Sequence, residues 1–528
     1  MYIGSSYSKW LNLATAALVF VLAFGVYLQT LAPSIIWAHD GMDSGDFAAA
    51  IASGGVPHPP GYPTYLLAGE IFRLLPWGDV AHRLNVMSAL AAAAASALMA
   101  LIVGSTLQDK ASTAANGRQS ALWVYVSAAG AGLLFAFTPI VWSQAVITEV
   151  YTMHALFFCA TLALSLRARR TKRCGAVLLT FATLGLGLGN HLSLVLAVPP
   201  LLYLLWDLIR TRPVRFVLYA LPGLALGLAV YGILPWRAAH VPPVNWGGAS
   251  TLAGFWWLVS AQLYRGFVLS LPLAHIPVRL LAWLRLLVIG VNVWGIPAGI
   301  LGLNDLWERD RRLAISTLLT FALYSAYAIL YDTTDSYVYL IPAVAVLVLW
   351  VGHGLYWVLT SVAPGLELRW GQWSTVVLVV LVAVLSVGGL PWRWTSQDLS
   401  ADTAAMDYAR AALRDADPDA LIVVAGDAHT FSLWYARYGL RSRKDVAVVN
   451  DAMLSYDWYR TVLEKYHPDV MQAPAGLFIS DLFSLLAANA DRRPVYFSDK
   501  PEYLPPGYQA VASGSLWKLA PAERHWAK

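Results

Sequence analysis

Two cysteines in 528 residues, Cys159 and Cys174, are too few for a disulfide framework. Both fall in or beside predicted membrane helices, so a thiolate metal site is a poor reading as well, and compartment has to be read from topology. Charge is scarce too. Asp, Glu, Lys and Arg make up 13% of the chain against 58% apolar residues, far from the soluble balance. No long low-complexity run or regular internal repeat is visible, and nothing resembles a nucleic-acid-binding module, so nucleic acid is not an expected partner. The formal charge of +5 fits cytoplasmic Lys and Arg beside anionic lipid better than an acidic soluble partner.

What the chain has in quantity is apolar segments of about 17–25 residues, the length a helix needs to cross a bilayer. Eleven spans fit best: 11–32, 84–107, 121–139, 150–167, 174–190, 192–209, 216–236, 281–303, 312–331, 337–359 and 373–391. The first exceeds a signal-peptide core and reads as a retained anchor. The fifth and sixth come from one apolar stretch between Arg173 and Arg210, with a turn expected near Gly189-Asn190-His191. Basic residues concentrate in one set of loops, notably Arg167 to Arg173 and Arg210 to Arg215. The positive-inside rule then makes the N-terminus cytoplasmic and the C-terminal part external, in a cell-membrane protein.

The expected organisation is a transmembrane domain over 1–394 and an external α/β domain over 395–528. In the latter, Asp402 to Arg414 reads as a helix, and Leu421 to Ala425, Asp445 to Asn450 and Pro494 to Ser498 read as strands.

Two polar motifs follow the first span: Asp43-Ser-Gly-Asp46 and His58-Pro-Pro-Gly-Tyr-Pro63. Carboxylates are costly at a membrane edge without a task. Either acid could take a proton from an acceptor hydroxyl. Ser44-Gly45 suggests a tight turn, and Asp46 could instead cap a helix. The second motif could hold the His58 imidazole and the Tyr62 phenol over a phosphate, or serve only as a rigid turn before the amphipathic stretch Leu66 to Leu75. Under the proposed topology Glu149, His191, Arg237, His240, Asn245, Trp246, Asp332 and Asp335 fall on the same face. Such convergence is what a cavity-lined active site produces. Each also has an ordinary reading. Glu149 suits a helix entry through the dipole, His191 a hairpin turn, and Asp335 a solvated loop. Arg237 could hold a phosphate or be an interfacial arginine. Gln262 to Arg265 reads as a surface helix. The acids show no clear metal-ligand spacing, so no cofactor is indicated, with divalent-metal use left open.

Together with Trp142-Ser-Gln144, Glu149-Val-Tyr151, Arg237 and Asn245-Trp-Gly247, the two first-loop motifs resemble a family of polytopic membrane proteins. That family includes the animal protein O-mannosyltransferase acting on IPT domains of plexins and receptor kinases. Gly426-Asp427, Trp434-Tyr435 and Asp445-Val446 are similar to its C-terminal part. The resemblance implies a GT-C glycosyltransferase fold, mostly α-helical, with a catalytic acid in the first external loop. It also implies a polyprenyl-phosphate sugar donor, with mannose and a protein acceptor as successively weaker inferences and a glycan acceptor as an alternative. Asp46 stands where the family commonly has Glu, and Asp40 is a rival acid just upstream.

The expected site thus has Asp43, Asp46 and Glu149 in catalysis, and Arg237, His58 and Tyr62 on the donor phosphate. Tyr151, His191, Asn245, Trp246 and Asp335 line the cavity or acceptor side. Two other classes compete: a lipid-linked substrate transporter or flippase, and a non-catalytic assembly subunit. Transport is disfavoured, because its ionisable groups more often lie at mid-membrane.

Overall fold

The structure, a computed structural model, describes residues 5–111, 117–371 and 373–522. The outermost residues of both expected domains, 1–4 and 523–528, therefore lie outside the described residues. It is an integral-membrane, mainly helical architecture carrying a small mixed sheet near its C-terminal end.

The chain opens with the long helix α1 (Ser5–Gln29), followed by two short ones, α2 (Ser44–Ser53) and α3 (Pro63–Arg73). Four more run through the first half: α4 (Val80–Ala111), α5 (Gly117–Ala136), α6 (Pro139–Ala145) and α7 (Tyr151–Thr171). Next come α8 (Cys174–Leu188), α9 (Val198–Leu204), α10 (Trp206–Thr211), α11 (Pro213–Leu228), α12 (Ile233–Ala238) and α13 (Leu252–Val259). The bundle is completed by α14 (Ile276–Arg309), α15 (Arg311–Leu330), α16 (Ile341–Trp370) and α17 (Trp373–Val387), with α18 (Leu390–Gln397) leading out of it.

By length and hydropathy seven described helices can cross a membrane, or eight if α5 and α6, bent by 63°, form one broken span. The count of eleven is not reached on that measure. The apolar run of α7 is diluted by Tyr151, Thr152 and His154 at one end and Arg167 at the other. Two further pieces, Cys174–Leu188 and Leu192–Leu204, are shorter than a full crossing. The break between them falls at Gly189-Asn190-His191, as expected.

Hydropathy does not say which helix is central; packing does. The span containing α16 has 94% of its most apolar window buried, whereas those of α1, α11 and α17 have 22%. Lipid and protein interior are equally apolar, so small residues decide which helices approach closely. A Cβ on Gly354 of α16 would lie 1.9 Å from the Ala298 carbonyl of α14, and one on Gly302 only 1.7 Å from the Trp350 carbonyl. Those two glycines let α14 and α16 pack backbone to backbone.

Beyond the bundle lie α19 (Ala404–Asp415), β1 (Leu421–Val424), α20 (Asp427–Trp434), β2 (Ala447–Asn450), α21 (Asp457–Tyr466), α22 (Leu482–Asn489) and β3 (Val495–Phe497). A final hairpin, β4 (Tyr508–Ser513) and β5 (Leu516–Pro521), was not anticipated from the sequence. The sheet order is β2-β1-β3-β5-β4. β1 runs parallel to β2 and β3, with Leu421 beside Ala447 and Val495; β5 is antiparallel to β3 and β4. The sheet is not isolated. Phe47 of α2, Trp246, Phe431 and Trp434 belong to one buried cluster with the core of this sheet. The first loop and the C-terminal region therefore close on each other at one end of the bundle.

Candidate active site

The aspartate motif begins α2 rather than forming a turn: Asp43 occupies the N-cap position and Ser44 to Asp46 the first helical turn. Ser44 ties the helix to the preceding stretch of loop, its hydroxyl donating to the Ile36 carbonyl at 3.1 Å and accepting from the Ile36 amide at 3.0 Å. Gly45 is needed for docking, because a Cβ there would meet the Phe431 backbone at 2.5 Å. Any larger residue would push α20 away from α2.

Asp46 is fully buried, and its oxygens are taken. Oδ2 accepts from the His58 backbone amide at 2.9 Å and from His58 Nδ1 at 2.8 Å, while Oδ1 accepts from the Trp246 indole at 3.1 Å. Asp46 lies inside the first turn and not at the cap position, so the capping reading is corrected: its carboxylate is taken by His58 and Trp246. Asp43 is different. Its side chain is 37% open, and its carboxylate meets His58 Nε2 at 3.4 Å. The Tyr62 hydroxyl lies 3.2 Å from the same nitrogen. The left-handed backbone at Tyr62 turns the chain into α3, which Pro63 begins. His58 is thus clasped between two carboxylates, with Phe47 and Phe431 against its ring.

Electrostatics follow from this arrangement. Burial alone would lower the His58 pKa, but Asp43 and the bonded Asp46 outweigh it and lift it to about 9. His58 is therefore an imidazolium at neutral pH. Asp43 is pushed up to about 6 by burial, opposed by His58 and reinforced by Asp427, Asp46 and Asp335. A carboxyl poised near the working pH is suited to proton transfer. Glu149, buried in the turn before α7, is raised well above the carboxylate range by burial and then by Asp43. Among the described residues its carboxyl accepts from the neighbouring Val150 amide, at 3.3 Å.

The cavity-side residues assemble partly as expected. His191 lies between the rings of Tyr62, Tyr151 and Tyr339, with centroids at 6.4, 5.5 and 5.6 Å. Asp335 sits close enough to act on both Asp43 and Glu149. Asn245 and Trp246 are stitched to the first loop: the Val56 amide donates to the Val244 carbonyl at 2.9 Å, and the Trp246 amide to the Val56 carbonyl at 3.2 Å. The rival Asp40 is exposed and accepts from the Tyr337 hydroxyl at 3.0 Å.

Arg237 departs from the expected role. It is 4% exposed; Nη2 meets Glu70 of α3 at 2.5 Å and Nη1 donates to the Gly55 carbonyl at 3.0 Å. Both arms are engaged in holding α12 to α3 and to the loop that carries His58. A guanidinium so paired fixes the site's frame, while its buried Nε has no partner among the described residues. Removing one partner of a buried pair strands the other. Arg237→Ala and Glu70→Ala are therefore each expected to cost about 3 kcal/mol of stability, with the double variant losing less than the sum. Thermal unfolding in detergent measures this. An alanine variant as stable as the parent but defective in donor binding would return Arg237 to the phosphate.

Sequence reasoning missed Asp427, Phe431 and Tyr264. Asp427 starts α20 at the carboxyl end of β1, where open α/β sheets place their ligands. Its pairing with Gly426 was visible, but not its destination. Tyr264, read as part of a surface helix, has its ring 6.3 Å from His58. The surrounding turn is a short 3-10 segment, Gln262–Phe267. Periodicity gives no sign that such a turn folds back over the first loop.

Comparisons with known proteins agree with this picture. Two family models match: the protein O-mannosyl-transferase TMEM260 N-terminal domain over residues 43–214, and TMEM260-associated domain 2 over residues 405–480. Protein O-mannosyl-transferase TMEM260 of Mus musculus is 25% identical over 90% of this chain and 69% of its own length. The Dictyostelium discoideum protein of the same name is 23% identical over 92% of this chain and 63% of its own length. Among solved structures, ArnT from Cupriavidus metallidurans bound to undecaprenyl phosphate superposes with a TM-score of 0.53, 14% identity and 98% coverage of both chains. Its apo form gives the same TM-score and coverage at 12% identity. The family resemblance read from the motifs is thereby borne out, and the chain shares the GT-C-like fold of ArnT.

Proposed function

We propose that this chain moves a sugar from a polyprenyl-phosphate donor to an acceptor hydroxyl, with Asp43 as general base. The class, a membrane glycosyltransferase, follows from the named relatives and the shared fold. The observation that supports the base is the contrast between two acids three residues apart. Asp46 has spent both oxygens, whereas Asp43 is partly exposed, with His58 at 3.4 Å.

In the reaction the acceptor oxygen bonds to the anomeric carbon as the bond from that carbon to the phosphate oxygen breaks. The acceptor proton passes to Asp43, and the electron pair leaves on the polyprenyl phosphate. Attack opposite the leaving group inverts the anomeric configuration. The His58 imidazolium and the Tyr62 hydroxyl supply positive potential and a hydrogen bond where negative charge develops on the phosphate. Glu149 orients the acceptor or Asp43, and Tyr151, His191 and Asp335 shape the wall. Mannose as the sugar and protein as the acceptor are supported by the relatives' names. The first loop and the C-terminal domain (395–528) take the external side and the N-terminus the cytoplasmic one, in the cell membrane, with the donor entering from the outer leaflet.

Purified protein incubated with a panel of polyprenyl-phosphate sugars should release free lipid phosphate from one of them, dependent on an acceptor. No release from any donor would overturn the reading. The pH profile should be bell-shaped. Asp43 must be deprotonated, so kcat/KM rises through pH about 6; His58 must be protonated, so it falls through about 9. As the two groups interact, these limbs belong to the pair. Activity still rising above pH 10 would remove the imidazolium from the mechanism.

A further inference from the structure

Beside the first loop lies a cavity of about 610 Å³, between the segment that leads into α13 and the start of α21. Ligand sites usually fall between about 300 and 1,000 Å³. Its floor is Gly247 and Gly248, both with positive φ, at 72° and 54°. Gly254 of α13 lies so close that a Cβ would sit 2.3 Å from the Gly248 carbonyl. The wall is aromatic. Trp257 and Tyr456 have ring centroids 5.7 Å apart, and Tyr456 stacks on Trp458 at 5.5 Å. Ser250, Thr251 and Thr461 add hydroxyl groups around the cavity.

Two buried polar atoms here have no partner among the described residues. Asn245, 5% exposed, spends its amide nitrogen on the Ala238 carbonyl at 3.4 Å but leaves Oδ1 unpaired. Trp458 leaves its indole N–H unpaired. Leaving buried donors and acceptors unsatisfied costs about 1–3 kcal/mol each, which a ligand pairing with both would recover. The cavity is also joined to the chemistry. Trp246 follows Asn245 in sequence, its ring lies 5.6 Å from Trp458, and its indole N–H is the one held by Asp46.

We infer that this cavity is the docking cleft for the acceptor, and that its occupant is an extended polypeptide segment carrying the hydroxyl to be glycosylated. An extended peptide unit presents one N–H and one C=O, matching Asn245 Oδ1 and the Trp458 indole. The glycines let Trp257 and Trp458 pack close to this backbone, and the aromatic wall they form receives side chains. The only charged residue among those described in the lining, Asp457, is ion-paired with Arg460, so no free carboxylate is left there to grip sugar hydroxyls. The inference rests on the transferase reading and assigns that site its acceptor entrance.

The test uses the full chain in detergent with a fluorescein-labelled, threonine-rich peptide, followed by anisotropy. Wild type should bind it, and Asn245→Ala should weaken binding about tenfold, one lost hydrogen bond of about 1.4 kcal/mol. Ser250→Trp and Thr461→Trp fill the cleft from opposite rims and should each abolish saturable binding. Peptide KM in the transfer assay should rise in parallel, with kcat changed less. Equal binding by wild type and both rim variants would overturn the inference, as would an oligosaccharide that binds the cleft where the peptide does not. The two readings fail separately. A wild type that binds peptide in the cleft but transfers no sugar sinks the enzyme and keeps the docking site. Transfer to peptide unaffected by a filled cleft sinks only the cleft.

Discussion

Asp43→Asn is expected to lower turnover by about 10²–10⁴-fold, the usual contribution of a positioned general base. The substitution is nearly isosteric and removes only the proton acceptor. Because Asp43 is partly open and caps no helix amide, little stability depends on its charge. The asparagine variant loses the Coulomb attraction to His58 but keeps the shape, so thermal unfolding should stay close to that of the parent. Donor binding should survive, and acceptor-dependent release of free lipid phosphate should slow by the same factor. Asp40→Asn is the control for the rival acid. Its carboxylate is exposed and bonded to Tyr337, and its loss should leave turnover within a few-fold of wild type. The reverse ranking of the two variants would move the base to Asp40.

Asp46→Asn should be the most damaging change to the frame of the site. Its two oxygens accept three hydrogen bonds, two from His58 and one from Trp246. An amide has one acceptor oxygen and would turn its NH₂ toward one of those donors. Breaking a buried, hydrogen-bonded pair costs about 3–5 kcal/mol, and the loop carrying His58 should loosen with it. Asp46 acts through His58 and is a positioning residue, which gives a distinguishing readout. Without its negative charge the imidazolium loses one of the two carboxylates that hold its pKa near 9. The alkaline limb of kcat/KM should therefore move to lower pH, and the acid limb should shift down less, because Asp46 is one of several charges that raise Asp43. A variant that loses activity with both limbs unmoved would assign Asp46 a purely structural part.

How far the sequence carried these assignments differs by residue. The strands at 421–424, 447–450 and 495–497 lie within their expected ranges, because short β-branched runs bounded by turn residues have few other stable fates. The hairpin at 508–521 was missed, since its strands are half exposed and mixed in composition. The break at Gly189-Asn190-His191 was legible from basic residues at both ends of one apolar run. The number of spans was not, because α7 and the pieces 174–188 and 192–204 sit at the margin where length and hydropathy stop discriminating.

At the site, residue type identified the carboxylates, the histidine and Trp246, because charged and aromatic groups gathered beside membrane segments are hard to explain otherwise. Composition and motif alone determined a membrane protein of many helices, its family resemblance and the loop on which chemistry should be sought. Only the tertiary structure separated Asp43 from Asp46, moved Arg237 onto Glu70, and brought Asp427, Phe431 and Tyr264 over the first loop. The reason is physical. A side chain's identity states what it can donate or accept, but whether that capacity is free depends on partners far away in the chain. Asp46 and Trp246 are 200 residues apart, and their hydrogen bond exists only because the long loop pairs with Val56. No local pattern encodes such a contact, and it is this contact that leaves Asp43 as the acid with an oxygen to spare.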